Sequence, residues 1–314
     1  MISFPFSRLL VPCSLAFLFV VTALPADELP DGAVDLKKSV VYKDIPYVTG
    51  GGERQQLDLY IPKIDGKLPT AENPVPVIVW VHWGSWTRGS KDPCLPVGLG
   101  YAQKGYALAA INYRLMGMAP FPAQLEDCKA AVRWLRTHAK KYGLDPDRIG
   151  AWGVSAGGHL VALLGTTGDN KEFDVGENLD QSSAVQCVCD LFGPADLQSI
   201  LEDPRLEEFL KTERDTIRKF LGGDPEEKVE LAFKASPTHH VKKGNAPFLI
   251  LHGDEDKIVP IRQSERLYEE LQKAGVESEF HVVKGGGHAP FGFLTPEVLG
   301  KIERFFAKHL KAAD

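Results

Sequence analysis

Past residue 33, short apolar runs alternate with amphipathic stretches to the end of the chain, the pattern of strands alternating with helices. Strands are predicted at residues 39–42, 57–61, 75–81, 107–113, 148–153, 184–190, 248–251 and 277–283. The runs Pro76-Val77-Ile78-Val79-Trp80-Val81 and Phe248-Leu249-Ile250-Leu251 carry no polar position, as expected of central strands covered on both faces. Between the strands, residues 124–142 place Leu125, Cys128, Val132 and Leu135 at helical spacing, and Gly143 supplies the stop. Further helices are predicted at 261–274 and 295–310. The segment 196–236 is long, strongly charged and outside the alternation, so it reads as a helical insertion over the sheet edge, a cap. The expected fold is α/β: one domain over residues 34–314, with a mostly parallel eight-stranded sheet flanked by helices.

The first residues depart from this alternation. Arg8 precedes an almost unbroken apolar stretch over residues 9–23, and acidic and proline-rich residues follow at 27–31. Such an order reads as a signal peptide over residues 1–23, with Ala26 as the later alternative for cleavage. A bilayer crossing needs about 20 apolar residues, more than this stretch supplies. Export to the periplasm or the medium is therefore expected, with no integral membrane association after cleavage.

At 314 residues and 44% hydrophobic, the chain can bury one sizeable core. Its formal charge of −6 is modest and its Lys and Arg residues are scattered, which argues against nucleic acid as a partner. Export would remove Cys13 and leave four cysteines where disulfides persist. Cys187 and Cys189 alternate on one predicted strand and point to one face, as core thiols do, so Cys94 with Cys128 is the pair open to bridging. No zinc-spaced Cys/His cluster is found.

Chemistry concentrates in three loops. Gly153-Val154-Ser155-Ala156-Gly157 follows a strand-like run and opens a helix-like one, the order a nucleophile elbow requires. There a sharp turn lifts Ser155 to a helix N-terminus, where the dipole and the Ala156 N–H favour developing negative charge. A serine needs a base to take its proton and a carboxylate to orient that base. Among nine histidines, His288 stands out, in the loop Gly285-Gly286-Gly287-His288 directly after the last predicted strand. The loop after residues 248–251 offers Asp254, Glu255 and Asp256; Asp256 is the choice and Asp254 the fallback. The chain order Ser155, Asp256, His288 is that of the α/β-hydrolases and not of the other serine-triad folds. The loop His82-Trp83-Gly84-Ser85-Trp86, after the strand at 75–81, is assigned the remaining oxyanion donors, with His82 bracing it. Trp83, Trp86, Phe192 and Phe291 are candidates to wall a substrate pocket, although aromatic residues at such positions also serve as ordinary core.

With these loops in this order, the chain resembles the esterase/lipase branch of the α/β-hydrolases. More narrowly, it is similar to the bacterial feruloyl-esterase-like and acetylesterase-like group related to the hormone-sensitive-lipase family. Further matching stretches are Leu57-Asp58-Leu59-Tyr60, Asn112-Tyr113-Arg114-Leu115, and Phe192-Gly193-Pro194-Ala195-Asp196-Leu197. The resemblance implies two-step acyl transfer to water without metal or cofactor. It matches Ser155, Asp256 and His288 to the triad, and Gly84, Ser85 and Ala156 to the oxyanion donors. One departure is informative: the family's His-Gly-Gly-Gly loop has Trp83 at its first glycine and Ser85 at its third. If Trp83 tolerates the backbone angles there, the donors survive and the indole narrows the pocket, and this is the reading adopted; otherwise the hole is distorted. The implied substrates are small acyl esters, acetyl or hydroxycinnamoyl groups on polysaccharides. An amide hydrolase resembling a formamidase and a catalytically silent binding protein are the alternatives.

Overall fold

The computed structural model describes residues 33–35, 37–202 and 210–311, and the expected signal peptide lies outside them. In chain order the strands are β1 (Ala33–Asp35), β2 (Ser39–Pro46), β3 (Gln56–Pro62), β4 (Val75–Val81), β5 (Ala107–Ile111), β6 (Leu144–Val154), β7 (Cys187–Leu191), β8 (Phe248–Gly253) and β9 (Ser278–Val283). The helices are α1 (Leu95–Gly98), α2 (Ala123–Thr137), α3 (Ala139–Tyr142), α4 (Ala156–Thr166), α5 (Leu210–Leu221), α6 (Val229–Lys234), α7 (Arg262–Lys273) and α8 (Pro296–Leu310).

Among the described residues, all nine strands join one sheet in the order β1-β2-β3-β5-β4-β6-β7-β8-β9. β1, β2, β3 and β5 pair antiparallel, and every contact from β5 through β4 to β9 is parallel. The eight strands read from the sequence are all present. The count rises to nine because β1, three residues too short to show a pattern, adds to the edge beside β2.

Alternation along the strands divides the core into two layers. Val77, Val79 and Val81 of β4 point into one with α2, α4 and α7, whereas Ile78 and Trp80 point into the other with α8. This explains why β4 and β8 are apolar at every position: both faces are covered, and each is buried throughout. The predicted helix at 124–142 is broken at His138 into α2 and α3, and α3 ends as expected on Gly143, in the left-handed region at φ 64°. Cys94 and Cys128 do not pair. They lie in separate layers, Cys128 on the α2 side of the sheet and Cys94 on the α8 side, and both are buried thiols. Cys187 and Cys189 share the α8 layer, where burial pushes both thiols well above their usual range.

Of the segment 196–236, the described residues form a short turn (Ser199–Glu202), α5 and α6. No helix among the described residues is long and apolar enough to cross a membrane. Because β4 and β6 to β9 run parallel, the loops after them gather at one edge of the sheet, and those loops carry His82, Ser155, Phe192, Asp256 and His288.

Candidate active site

Ser155 sits between β6 and α4 with φ 56° and ψ −119°, a backbone region that costs a non-glycine residue about 1–3 kcal/mol. The surroundings hold it there. Its N–H donates to Leu191 O at 2.9 Å, and its carbonyl accepts the first turn of α4 from His159 N at 2.9 Å. Gly157 is required by close approach, since a Cβ there would lie 2.1 Å from Val81 O on the neighbouring strand.

Ser155 Oγ lies 2.8 Å from His288 Nε2, and His288 Nδ1 lies 2.7 Å from Asp256 Oδ2. A carboxylate accepts only, so Nδ1 carries the hydrogen and Nε2 presents a lone pair to the serine hydroxyl. The Asp256 side chain is fully buried, and its Oδ1 accepts from Ile258 N at 2.8 Å and Val259 N at 2.9 Å. Burial alone would raise the Asp256 pKa; hydrogen bonds from His252 and His288, with that from Ile258 N, instead hold it well below the usual carboxylate range. Asp254, the fallback acid, has another task. Its Oδ1 accepts from Gly285 N at 2.6 Å and, with Glu255 N donating to Gly286 O at 2.9 Å, fastens the His288 loop to the Asp256 loop.

His252 was not foreseen. It is fully buried, with Nε2 2.9 Å from Val259 O and 3.3 Å from Asp256 Oδ2, and Nδ1 2.7 Å from Ser264 Oγ. Val259 O can only accept, so Nε2 carries a hydrogen that also faces Asp256. The carboxylate oxygen that holds His288 thus has a second imidazole beside it.

The loop after β4 is fixed by another buried histidine. His82 Nδ1 lies 2.7 Å from Trp83 O and Nε2 lies 3.0 Å from Arg54 Nη2. A carbonyl cannot donate and a guanidinium cannot accept, so Nδ1 bears the hydrogen. Burial pushes the His82 pKa down to about 3; the Trp83 hydrogen bond opposes that shift and Arg54 adds to it. Arg54 also donates to Gly89 O at 2.9 Å and Tyr113 O at 3.0 Å, and the His82 ring stacks on Tyr113. In a trans peptide the C=O and the next N–H point oppositely. With Trp83 O held by His82, and Gly84 O by Thr87 N and Arg88 N, the N–H groups of Gly84 and Ser85 are turned away from the loop's interior. Sequence reasoning had also overlooked Arg54, which reaches His82 from 28 residues upstream.

Trp83 is accommodated at the family's first glycine because the left-handed angles fall after it, on Gly84 (φ 120°), Ser85 (φ 52°) and Trp86 (φ 57°). Its indole does not narrow the pocket, however. It meets Trp80 edge to face at 6.1 Å and packs half-buried against the α8 layer. Trp86 does line the cleft over Ser155, together with Ser85 and Ala156. Phe192, which has positive φ, is buried against the His288 ring at 4.8 Å and supports it from behind instead of lining that cleft. Phe291 lies in the turn Pro290–Phe293, and its side chain falls outside the described residues. Among the described residues, no three His, Cys, Asp or Glu side chains gather into a metal-binding group.

The chain is similar to several known esterases. The BD-FAE family model matches residues 57–271, more than half of the chain. Esterase LipC of Mycobacterium tuberculosis is 30% identical over 256 residues, which cover 80% of this chain and 59% of that protein. A probable isoprenylcysteine alpha-carbonyl methylesterase of Arabidopsis thaliana is 26% identical over 279 residues, 86% of this chain and 54% of its own length. The chain thus spans little more than half of these curated relatives. Among solved structures, a truncated carbohydrate esterase from gut microbiota superposes with a TM-score of 0.76 at 29% identity, covering 90% of this chain and all of that one. An acetyl ester-xyloside bifunctional hydrolase from Caldicellulosiruptor lactoaceticus gives a TM-score of 0.65 at 25% identity, with 81% and 88% covered. The chain belongs to the BD-FAE family, within the esterase group of the α/β-hydrolases.

Proposed function

We propose that the protein is a serine carboxylesterase that cleaves small acyl esters through an acyl-enzyme on Ser155. The observation that carries this reading is the unbroken line from Ser155 Oγ through the His288 ring to the buried Asp256 carboxylate, at 2.8 and 2.7 Å. Ser155 Oγ would attack the ester carbonyl while its proton passes to His288 Nε2. The negative charge on the former carbonyl oxygen would be met by the N–H groups of Ala156, Gly84 and Ser85. Collapse expels the alcohol, which takes the proton from His288, and water repeats the sequence to release the acid and free the serine.

The names of the relatives favour esters over amides, and the solved neighbours include a carbohydrate esterase and an acetyl ester-xyloside bifunctional hydrolase. We extend this to acyl groups on polysaccharides met after export, acetyl and hydroxycinnamoyl being the two candidate acyl classes. Turnover of para-nitrophenyl acetate by the purified protein should fall by about 10⁴-fold or more in Ser155→Ala. Equal turnover in the variant overturns the reading, and faster turnover of a formyl-anilide than of the acetyl ester would replace it with an amidase. Export is tested by the N-terminus of the protein recovered outside the cytoplasm, expected to begin after residue 23 or 26.

A further inference from the structure

The cleft over Ser155 is tight and has a direction. Its base is Ser155, Ala156 and Ser85, beside which an ester carbonyl would sit. Its other lining side chains besides Trp86 are Pro194, Leu197, Ile200, Ile217, Ile258 and Val259, all apolar. Exposure orients it: Ile258, on the Asp256 loop, is 38% exposed, whereas Leu197, Ile200 and Ile217 are 0%, 2% and 1% exposed. The mouth is therefore on the Asp256 side and the closed end is under the segment that carries α5. The leaving oxygen must meet His288 to take its proton, so the alcohol belongs at the mouth and the acyl group at the closed end.

We propose that this closed end is an acyl site for short unbranched aliphatic groups, acetyl to butyryl, that Ile217 sets its length limit, and that it rejects hydroxycinnamoyl groups. The inference rests on the carboxylesterase reading above. A phenolic hydroxyl buried among these apolar side chains would find no partner among the described lining residues of the closed end, and such a loss is expensive. Ile217 is not free to yield to a longer chain. One turn along α5, Phe220 stacks on Trp86 at 4.3 Å, meets His159 edge-on, and accepts Phe121 N at its carbonyl at 2.7 Å. His159 in turn donates from Nε2 to Ala235 O at 2.7 Å, so α4 grips the end of the cap segment as well. The position of Ile217 over the acyl end is thereby fixed from three sides.

The test is a kcat/KM profile over para-nitrophenyl acetate, butyrate, hexanoate, octanoate and ferulate. In the wild type the value should drop by about 10-fold or more between butyrate and hexanoate, the scale at which an apolar pocket rejects an oversized chain, and ferulate should trail acetate by about 100-fold. Ile217→Ala should raise the hexanoate-to-acetate ratio by about 10-fold or more. Ile217→Val, which removes a single methylene, should move the ratio the same way by less, and it carries the test if the alanine variant fails to fold. An unchanged ratio in the folded variants overturns the role of Ile217, and ferulate turnover matching acetate overturns the exclusion. A wild type with no more ester turnover than Ser155→Ala overturns the esterase reading and this one with it, whereas turnover with a flat acyl profile overturns this one alone.

Discussion

Two loops on opposite sides of the elbow strand begin alike, each with a fully buried histidine just at the end of a central strand, yet the two histidines act on different parts of the site. His82 hydrogen-bonds only to backbone and to Arg54, and its effect reaches the site through the peptide plane of Trp83 and Gly84. His252 faces the Asp256 carboxylate itself, as well as Val259 O and Ser264. One loop therefore sets the direction of neutral N–H donors, and the other sets the charge and position of the acid behind His288. The difference predicts where each loop fails: damage to the acid loop disables the base, and damage to the oxyanion loop weakens the stabilisation of an intermediate that still forms.

The largest effect should come from the acid itself. Asp256→Asn keeps the shape but places an amide opposite His288 Nδ1, which favours the wrong imidazole tautomer, and kcat for para-nitrophenyl acetate should drop by about 10⁴-fold. Retention of a tenth of the activity would shift the acid role to another carboxylate, Asp254 being the first to examine. On the oxyanion side, Gly84→Ala comes next. Gly84 has φ 120°, and a Cβ would lie 2.2 Å from Arg88 O, so the turn must move and carry the Ser85 N–H with it. A kcat loss of about 10²–10³ is expected, that of a missing oxyanion donor. A variant with kcat within threefold of wild type would remove this loop from the chemistry.

His252→Ala tests the less visible half of the comparison. It takes away one hydrogen bond to a buried carboxylate, worth about 1.5–3 kcal/mol, or roughly 10–100-fold. If His252 positions Asp256, the loss appears in kcat with KM nearly unchanged. A loss confined to KM would show that the residue shapes the cleft and does not support the acid.

What could be read from the sequence follows from how local each signal is. The elbow is a five-residue pattern between a strand and a helix, and Asp256 and His288 each lie in a loop directly after a strand, so adjacent residues suffice to place them. The apolar runs of β4 and β8 announce themselves because no position on either strand meets solvent. β6 begins at Leu144, four residues before its predicted start, because Asp145-Pro146-Asp147 hides the extension behind polar residues. The roles of His252 and Arg54 depend on partners that loops fold back to supply, Ser264 twelve positions on in one case and His82 in the other. Trp83 and Phe192 looked like pocket walls for lack of one fact, side-chain direction: Trp83 turns back onto Trp80 and Phe192 onto His288. Ile217 gave no signal at all, since an isoleucine in a charged helix reads as ordinary packing.

The smallest effect concerns the stability cost of the neutral histidine. The pKa of His82 falls from 6.5 to about 3 on folding, because burial and Arg54 outweigh its hydrogen bond to Trp83. The unfolded chain therefore binds a proton at this site at a pH where the folded chain does not, and stability must rise with pH between these two values. The contribution is fully present above pH 6.5, declines as the pH falls below it, and levels off near pH 3. Between pH 7 and pH 5.5 the loss from His82 is about 1 kcal/mol, given that one pKa unit corresponds to about 1.4 kcal/mol. His159, whose pKa burial lowers to about 4, adds a loss of the same sign. Urea unfolding of the wild type and of His82→Gln at both pH values separates the two: the pH-dependent loss should shrink by about 1 kcal/mol in the variant, which lacks the titrating group but keeps His159. An identical loss in both proteins would mean that His82 takes up its proton in the folded chain as readily as in the unfolded one, and at pH 5.5 the peptide plane of Trp83 and Gly84 would then be held by a charged ring pressed against Arg54, an arrangement the burial of this loop opposes.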